Sequence, residues 1–167
     1  WIVYDSGPNV SNRPDVQRWA ASGQYFNYNG SAIFVRRSPS CRRPSAPHLL
    51  ILHGFPTSSY DFVGVLDALD ARFCVTLFDF LGFGLSDKPE CRVQRECAYT
   101  LMAQADLAEA LAAWLQVQQT HILAHDYGDT VAQELMARAK REKLGFTLQS
   151  VVFLNGGLVQ DASRPVF

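Results

Sequence analysis

The sequence predicts an α/β protein: a mostly parallel sheet with helices on both faces. Strand-like runs rich in β-branched and aromatic residues alternate with helix-like runs along the chain. Three loops rich in Gly, Pro or Asp follow buried apolar strands. Parallel neighbours need crossover connections, so this alternation favours a parallel sheet covered by helices.

The predicted elements follow one another without internal repeats. A hairpin is expected first, because Asn29-Gly30 is a strong turn signal between two β-rich runs. Short apolar runs then predict strands, and longer amphipathic runs predict helices. The predicted strands cover residues 24–28, 31–36, 48–52, 73–78, the run ending at His125, and 150–154, and the helices cover 59–69, 100–114 and 130–140.

Two regions differ in composition. Residues 1–22 are polar and rich in Asn, Pro and Ser, which predicts a poorly ordered segment in which only Trp19 packs on the domain. Residues 23–167 are predicted to belong to one domain.

Composition excludes several classes of function. A net charge of −1 gives no reason to expect a nucleic-acid partner or electrostatic attraction to a membrane. The four cysteines form no CxxC pair, so neither a metal site nor a disulfide framework is indicated, and Cys74 is expected to be a small buried apolar residue. The longest apolar runs are strand-sized, too short to cross a bilayer.

Asp126 is the residue whose sequence context most strongly indicates a catalytic role. It follows a predicted strand and precedes a predicted helix, with the small residues Ala124 and Gly128 two positions away on either side. This is the small-x-nucleophile-x-small pattern of a sharp strand–turn–helix corner, with Asp where Ser is usual. A carboxylate there predicts attack on an alkyl carbon. The alternative is that Asp126 only caps the helix, because Asp is a favoured N-cap residue.

Three motifs, in order, resemble the α/β-hydrolase fold, and within it the epoxide hydrolase and haloalkane dehalogenase branch. They are the Leu-His-Gly-Phe-Pro of residues 52–56, the glycine-rich loop of residues 79–89, and the His-Asp-Tyr-Gly of residues 125–128. The resemblance implies that Asp126 is the nucleophile. It also implies that the backbone N–H groups of Phe55 and Tyr127 form the oxyanion hole, and the helix dipole at this corner favours an anion.

Within that branch the motifs favour an epoxide hydrolase. Tyr127 lacks the indole donor with which related dehalogenases hold halide, and Phe55 replaces the Asn that many of them carry. The resemblance implies no metal or organic cofactor, and a small apolar substrate or a lipid as ligand. A dehalogenase or other hydrolase remains an alternative. So does a catalytically silent scaffold that binds a lipid or a protein.

Four further residues are expected on the substrate-binding side: His53, Gly54, Pro56 and His125. His53 is expected to stabilise the oxyanion loop, and strand alternation is expected to turn His125 away from Asp126. The acidic residue Asp129 is explained by its place in the first turn of a helix, where the dipole favours negative charge. Residues 138–143, rich in Arg and Lys, are expected to form a solvated face.

A covalent mechanism also needs a histidine base and an acid that orients it. The resemblance places both, with the lid, after residue 167, and Asn155 stands where some dehalogenases carry the acid. It therefore implies that residues 23–167 are the N-terminal, incomplete part of an α/β-hydrolase domain, which stops before the lid and the last strands. The chain alone is therefore expected to be inactive. Resemblance to one member of this branch also implies the endoplasmic reticulum membrane, through an anchor upstream of Trp1 that this chain does not contain.

Overall fold

The computed structural model describes residues 13–90 and 99–157. Within these ranges a six-stranded sheet is flanked by α-helices and two short 3-10 helices, Pro39–Arg42 and Ser59–Val65. The strands are β1 (Gln24–Tyr28), β2 (Ser31–Arg37), β3 (His48–Leu52), β4 (Cys74–Phe78), β5 (Gln119–His125) and β6 (Thr147–Leu154), and the helices are α1 (Pro14–Ala21), α2 (Leu66–Asp70), α3 (Leu101–Trp114) and α4 (Tyr127–Lys140).

The strand order across the sheet is β1-β2-β4-β3-β5-β6. The β1–β2 hairpin and the β2–β4 pair are antiparallel, and the other three pairs are parallel. Ile51 of β3 pairs with Leu77 of β4 on one side and with Leu123 of β5 on the other. The predicted mostly parallel sheet is confirmed, and the carboxyl ends of β3, β4 and β5 meet at one edge.

The centre of the sheet buries both of its faces, as predicted. Successive side chains of a strand point to opposite faces, so neighbouring core residues join different clusters. Leu52 packs with residues of α3 and α4, whereas its neighbour Ile51 packs with Trp19, Phe62 and Leu66. Strand β4 is buried along its whole length, as expected for the centre of a covered sheet.

Helix α1 differs from the sequence prediction, which expected residues 1–22 to be poorly ordered. Pro14 and Asp15 stand in the first turn, where both residue types favour the start of a helix. The prediction gave more weight to the polar composition of residues 1–22 than to these two residues. The packing of Trp19 is confirmed. Its side chain is 6% exposed and packs edge-on against Tyr60, with ring centroids 5.4 Å apart. Residues 1–12 lie outside the described residues.

A disulfide joins Cys41 to Cys74, which corrects the expectation that no disulfide is present. Their Cα atoms lie 4.2 Å apart although 33 positions separate them in sequence. The pairing is formed by tertiary structure, because the 3-10 helix after β2 returns to the start of β4, and sequence spacing carries no sign of that approach. Cys74 is buried as predicted, and Cys91 and Cys97 lie outside the described residues.

Three element boundaries also differ. The predicted helix at residues 59–69 begins as a 3-10 helix and continues as α2. Helix α4 starts at Tyr127, directly after Asp126, and β6 starts at Thr147.

Across residues 13–90 and 99–157, the structure contains no helix with the length and apolar character needed to span a bilayer.

Candidate functional site

The chain turns sharply at Asp126, between β5 and α4. Asp126 has φ +52° and ψ −110°, a backbone conformation that is strained for a residue with a side chain. Ala124 is fully buried beside it. A Cβ on Gly128 would lie 2.5 Å from the Leu52 carbonyl oxygen, so only glycine lets α4 approach the end of β3 this closely.

The Asp126 carboxylate is held by two backbone N–H groups. Tyr127 N–H donates to Oδ1 at 2.6 Å, and Phe55 N–H donates to the same oxygen at 2.7 Å. An ordinary N-cap side chain accepts from the second or third residue of its helix. Asp126 instead accepts from the first residue of α4 and from a loop on the neighbouring strand. Capping alone does not account for this arrangement.

Gly54 allows the two loops to meet. A Cβ at this position would lie 2.8 Å from His125 Nδ1 and 2.9 Å from Asp126 Cβ. The missing side chain therefore permits the approach that brings Phe55 N–H to Asp126. Pro56, which follows through a cis peptide bond, is exposed at the same edge.

His53 is fully buried beneath this loop. Its Nδ1 lies 2.8 Å from the Gly54 carbonyl oxygen, and its Nε2 lies 3.0 Å from Phe80 N. Because Phe80 N–H is a donor, Nε2 accepts and Nδ1–H donates to Gly54, which fixes a neutral tautomer. Burial lowers the pKa of His53, against the opposing charge of Asp79. Both nitrogens serve the backbone, which supports the loop-stabilising role.

The glycine-rich loop is held by its own buried acid. Asp79 is fully buried and accepts N–H donors from Ser59 at 2.8 Å and Leu85 at 2.7 Å. The buried Gln104 of α3 bonds both the N–H and the carbonyl of Leu81. These contacts indicate that Asp79 and Gln104 hold the loop in place rather than bind a ligand. Sequence analysis did not single out Gln104, since nothing local marks a helical Gln as a backbone partner.

Three aromatic side chains contact one another and are called here the aromatic wall: Phe55 and Tyr127, whose backbone N–H groups bind Asp126, and Phe83, which contacts both of their rings. Phe55 is 67% exposed and packs edge-on against Phe83, with ring centroids 6.2 Å apart. The ring centroids of Phe83 and Tyr127 are 5.7 Å apart. Burial raises the pKa of Tyr127, so its hydroxyl stays protonated at neutral pH. Phe83 was not singled out from the sequence, where it reads as one residue of a turn-rich loop.

The other histidines make no hydrogen bond to Asp126 within the described residues. His125 packs edge-on against Phe62, with ring centroids 6.5 Å apart. His48 lies at the opposite strand ends, between Thr120 Oγ1 at 2.7 Å and Thr76 Oγ1 at 2.9 Å. Burial lowers the pKa of His48 to about 4. In the part of the chain that the structure describes, no cluster of His, Cys, Asp and Glu could hold a metal ion.

Asp129, in the first turn of α4, is completely buried. Its Oδ1 accepts the Leu154 N–H at 3.4 Å, and its Oδ2 makes no hydrogen bond of ordinary geometry within the described residues. A Cβ on Gly156 would lie 1.9 Å from that Oδ2. The helix dipole accounts for an acid at this position but not for its burial, which the sequence analysis missed.

Comparison with known proteins agrees with this geometry. Residues 47–163 match the sequence profile of the family described as alpha/beta hydrolase fold. The mesoderm-specific transcript homolog protein of Homo sapiens is 42% identical over 158 residues, which cover 92% of this chain and 45% of that protein. The chain therefore spans about half the length of the curated relatives it matches.

Solved structures give the same result. An alpha/beta hydrolase fold protein from Burkholderia ambifaria superposes with a TM-score of 0.66 at 27% identity, over 85% of this chain and 47% of that one. Haloalkane dehalogenase DbeA from Bradyrhizobium elkani superposes with a TM-score of 0.65 at 27% identity, over 81% and 42% of the two chains.

Proposed function

The chain belongs to the α/β-hydrolase fold family, and from that membership we propose that it carries the nucleophile and oxyanion hole of an epoxide-hydrolase-like enzyme. Asp126 is the nucleophile of this proposal, held at a nucleophile elbow. The N–H groups of Phe55 and Tyr127 are the oxyanion hole. The substrate is a small apolar molecule or a lipid that carries an epoxide.

One observation carries the proposal: both N–H donors bind the same carboxylate oxygen, Oδ1 of Asp126. Oδ2 is then the oxygen with electron pairs available for attack. Donors that already hold Oδ1 need no rearrangement when charge develops on that atom later in the reaction.

The chemistry follows in two steps. Asp126 Oδ2 forms a bond to a ring carbon of the epoxide, the carbon–oxygen bond of the ring breaks, and the ring oxygen takes a proton. Water, deprotonated by a base, then attacks the ester carbonyl carbon. The negative charge that appears on Oδ1 is stabilised by Phe55 and Tyr127 N–H until the ester bond breaks and releases a diol.

The aromatic wall supports an apolar substrate. Phe55 is 67% exposed, and its backbone N–H binds the Asp126 carboxylate. An apolar or aromatic substituent on the attacked carbon would cover this surface and exclude water from the ion. Substrate contacts of His53, Gly54, Pro56 and His125 remain predictions. The contacts of His53 and Gly54 favour a supporting role behind the wall.

The base that completes the second step is proposed to come from outside the described residues. The nitrogens of His53 are occupied by the backbone, and the ring of His125 packs against Phe62. His48 and His121 lie towards the amino-terminal end of their strands. This chain alone is therefore proposed to be inactive in turnover. Association with the endoplasmic reticulum membrane, through a segment outside this chain, remains a proposal from resemblance.

The experiment uses the full-length protein, with Asp126→Asn as the test variant and the exposed Asp67→Asn as its matched control. Both are incubated with a panel of epoxides, haloalkanes and esters, and turnover and intact mass are followed. We expect hydrolysis and a covalent mass increase with the control and the unaltered protein, and neither with Asp126→Asn. Equal turnover by Asp126→Asn would overturn the nucleophile assignment.

A dehalogenase is the second candidate, favoured by the superposition with DbeA at a TM-score of 0.65. The same nucleophile would displace halide from a haloalkane. The residues argue against it, since Tyr127 offers a hydroxyl where an indole donor would hold the halide. The panel separates the two, because the productive compounds identify the leaving group. A well-folded protein with no turnover and no adduct would favour a silent binding scaffold.

A further inference from the structure

Asp129 is a buried carboxyl group that the proposed reaction does not use. It is 0% exposed, and one of its oxygens has no hydrogen bond within the described residues. No Lys or Arg of those residues forms a salt bridge with it. Its surroundings are the end of β6, the first turn of α4 and, nearby, the carboxylate of Asp126.

The energetic costs favour an uncharged Asp129. A buried anion without a cationic partner is strongly unfavourable, and the N–H groups of Leu154 and Gly156 offset only part of that cost. The dipole of α4 offsets a further part. A neutral carboxyl with one unmet hydrogen bond is less costly. The like charge of Asp126 adds to the cost of ionising Asp129 and nothing to the cost of the neutral form.

Electrostatic surroundings point in the same direction. Burial raises the pKa of Asp129, and the charge of Asp126 adds to that increase. The N–H groups of Leu154 and Gly156 and the ring of His125 oppose it. Burial is the largest of these effects, so the net change is upward.

Asp129 is connected to Asp126 through one residue of β6. Leu154 N–H donates to Asp129 Oδ1 at 3.4 Å, and the Leu154 carbonyl accepts the Asp126 N–H at 3.0 Å. The Asp129 N–H also donates to the Asp126 carbonyl at 3.0 Å. The end of β6 therefore lies between the two acids, and its position depends on both.

We infer that Asp129 is an uncharged positioning residue, which holds the end of β6 against the Asp126 corner and leaves Asp126 as the anion of the site. This inference rests on the proposed function, in which Asp126 must be ionised. An ionised Asp129 would be a buried anion without a cationic partner, so ionisation would displace this carboxyl and the end of β6 that it holds. The functional consequence is a loss of activity as pH rises and Asp129 ionises.

The first test needs no activity. Because the folded state binds the Asp129 proton more tightly than the unfolded state, stability due to this group falls as pH rises above its unfolded pKa. Asp129→Asn keeps the acceptor and a donor but cannot ionise. Between about pH 4 and about pH 8, the Tm of Asp129→Asn should rise relative to that of the unaltered protein. A relative fall would overturn the inference.

Carboxyl carbon-13 NMR of the unaltered protein provides the same answer if the variant does not fold. The Asp129 signal, assigned through its backbone, should show a protonated carboxyl at neutral pH. The signal of an ionised carboxylate there would contradict the inference. Neither measurement depends on whether Asp126 is a nucleophile, so a failure here is distinguishable from a failure of the proposed function.

The second test measures the pH profile of turnover in the full-length protein. Asp129→Asn should remove or shift upwards the alkaline limb of kcat, a change that a merely structural role would not produce. Asp129→Ala, which loses the acceptor for Leu154 N–H, should lose more of kcat than Asp129→Asn, at least about tenfold relative to the unaltered protein. Asp67→Asn is the control and should leave the profile unchanged. An unchanged alkaline limb in Asp129→Asn would overturn the inference.

Discussion

The backbone N–H of Phe55 donates to Oδ1 of Asp126 at 2.7 Å, although 71 positions separate them in sequence. The contact exists because β3 and β5 are hydrogen-bonded neighbours whose carboxyl ends lie side by side. Phe55 follows the first of these strands and Asp126 follows the second. The register of the sheet, rather than any local motif, therefore assembles the pair.

Gly54→Ala should disrupt this contact without altering either partner. A Cβ at Gly54 would lie 2.9 Å from Asp126 Cβ, so the loop that carries Phe55 N–H must move away. Loss of one oxyanion donor lowers kcat by roughly a hundredfold to a thousandfold. We expect a decrease of this order in the full-length protein, measured by steady-state kinetics.

Gly64→Ala is the matched control, because a Cβ there meets nothing within 4 Å. It should keep both kcat and the Tm close to those of the unaltered protein. If Gly54→Ala retained normal kcat while remaining folded, Phe55 N–H would not be an oxyanion donor.

The Cys41–Cys74 disulfide should stabilise the fold. It closes a loop of 33 positions, and the entropy that such a loop loses in the unfolded chain corresponds to about 3–4 kcal/mol. Replacing both cysteines by serine should lower the free energy of unfolding by about that amount, measured by urea denaturation. Alkylation and mass measurement before reduction check that the bond is present. Equal stability of the oxidised protein and the double variant would contradict the prediction.

His48 should make the protein sensitive to mild acid. Its pKa is lowered to about 4 in the folded state, so between the ordinary value of 6.5 and about 4 the unfolded chain binds the proton and the folded one does not. Stability is then fully present above pH 6.5 and falls with pH through this window, by about 3 kcal/mol in total.

His48→Gln should flatten this dependence. Its side chain keeps donors and acceptors for Thr76 and Thr120 but does not titrate. Urea denaturation at several pH values measures the effect. The prediction fails if the variant and the unaltered protein lose stability in parallel across the window.

Ion pairs of Arg138 connect α4 to α3 and should stabilise the fold. It was expected on a solvated face, yet its side chain is 14% exposed and binds Asp106 and Glu109 at 2.6 Å and Glu134 at 2.8 Å. Arg138→Met keeps the apolar stem and leaves three carboxylates without their partner. We expect a loss of about 2 kcal/mol in the free energy of unfolding.

The exposed Arg141→Met is the control for this charge change and should alter stability little. If both methionine variants had the same stability, the Arg138 network would contribute nothing measurable. Denaturation in urea, which leaves ion pairs unscreened, is the measurement of choice.

The sequence predicted the parts of the fold that depend on local pattern. The apolar run of β3 and the Asn29-Gly30 turn specify their elements by composition alone. Asp126 was identified because small residues at fixed spacing on both sides are a local requirement of a tight corner. The order of the three motifs along the chain then indicated the edge of the sheet where they meet.

Contacts between distant segments could not be predicted in this way. The disulfide partner of Cys74, the backbone-binding role of Gln104 and the burial of Asp129 all depend on how elements pack. Asp129 is the clearest case. A first-turn acid has a sufficient local explanation in the helix dipole, and only the position of β6 shows that the carboxyl is enclosed.

The measurement that tests the central claim most directly is a single turnover in water enriched in oxygen-18, with enzyme in excess over an epoxide that the full-length protein hydrolyses. If Asp126 forms an ester that water cleaves, the label should appear in the Asp126 carboxylate, and the diol should carry the oxygen that Asp126 supplied. Mass measurement of the peptide that contains Asp126 and of the diol distinguishes the outcomes. Label found wholly in the diol, with Asp126 unlabelled, would show that water attacks the substrate directly and would contradict the account.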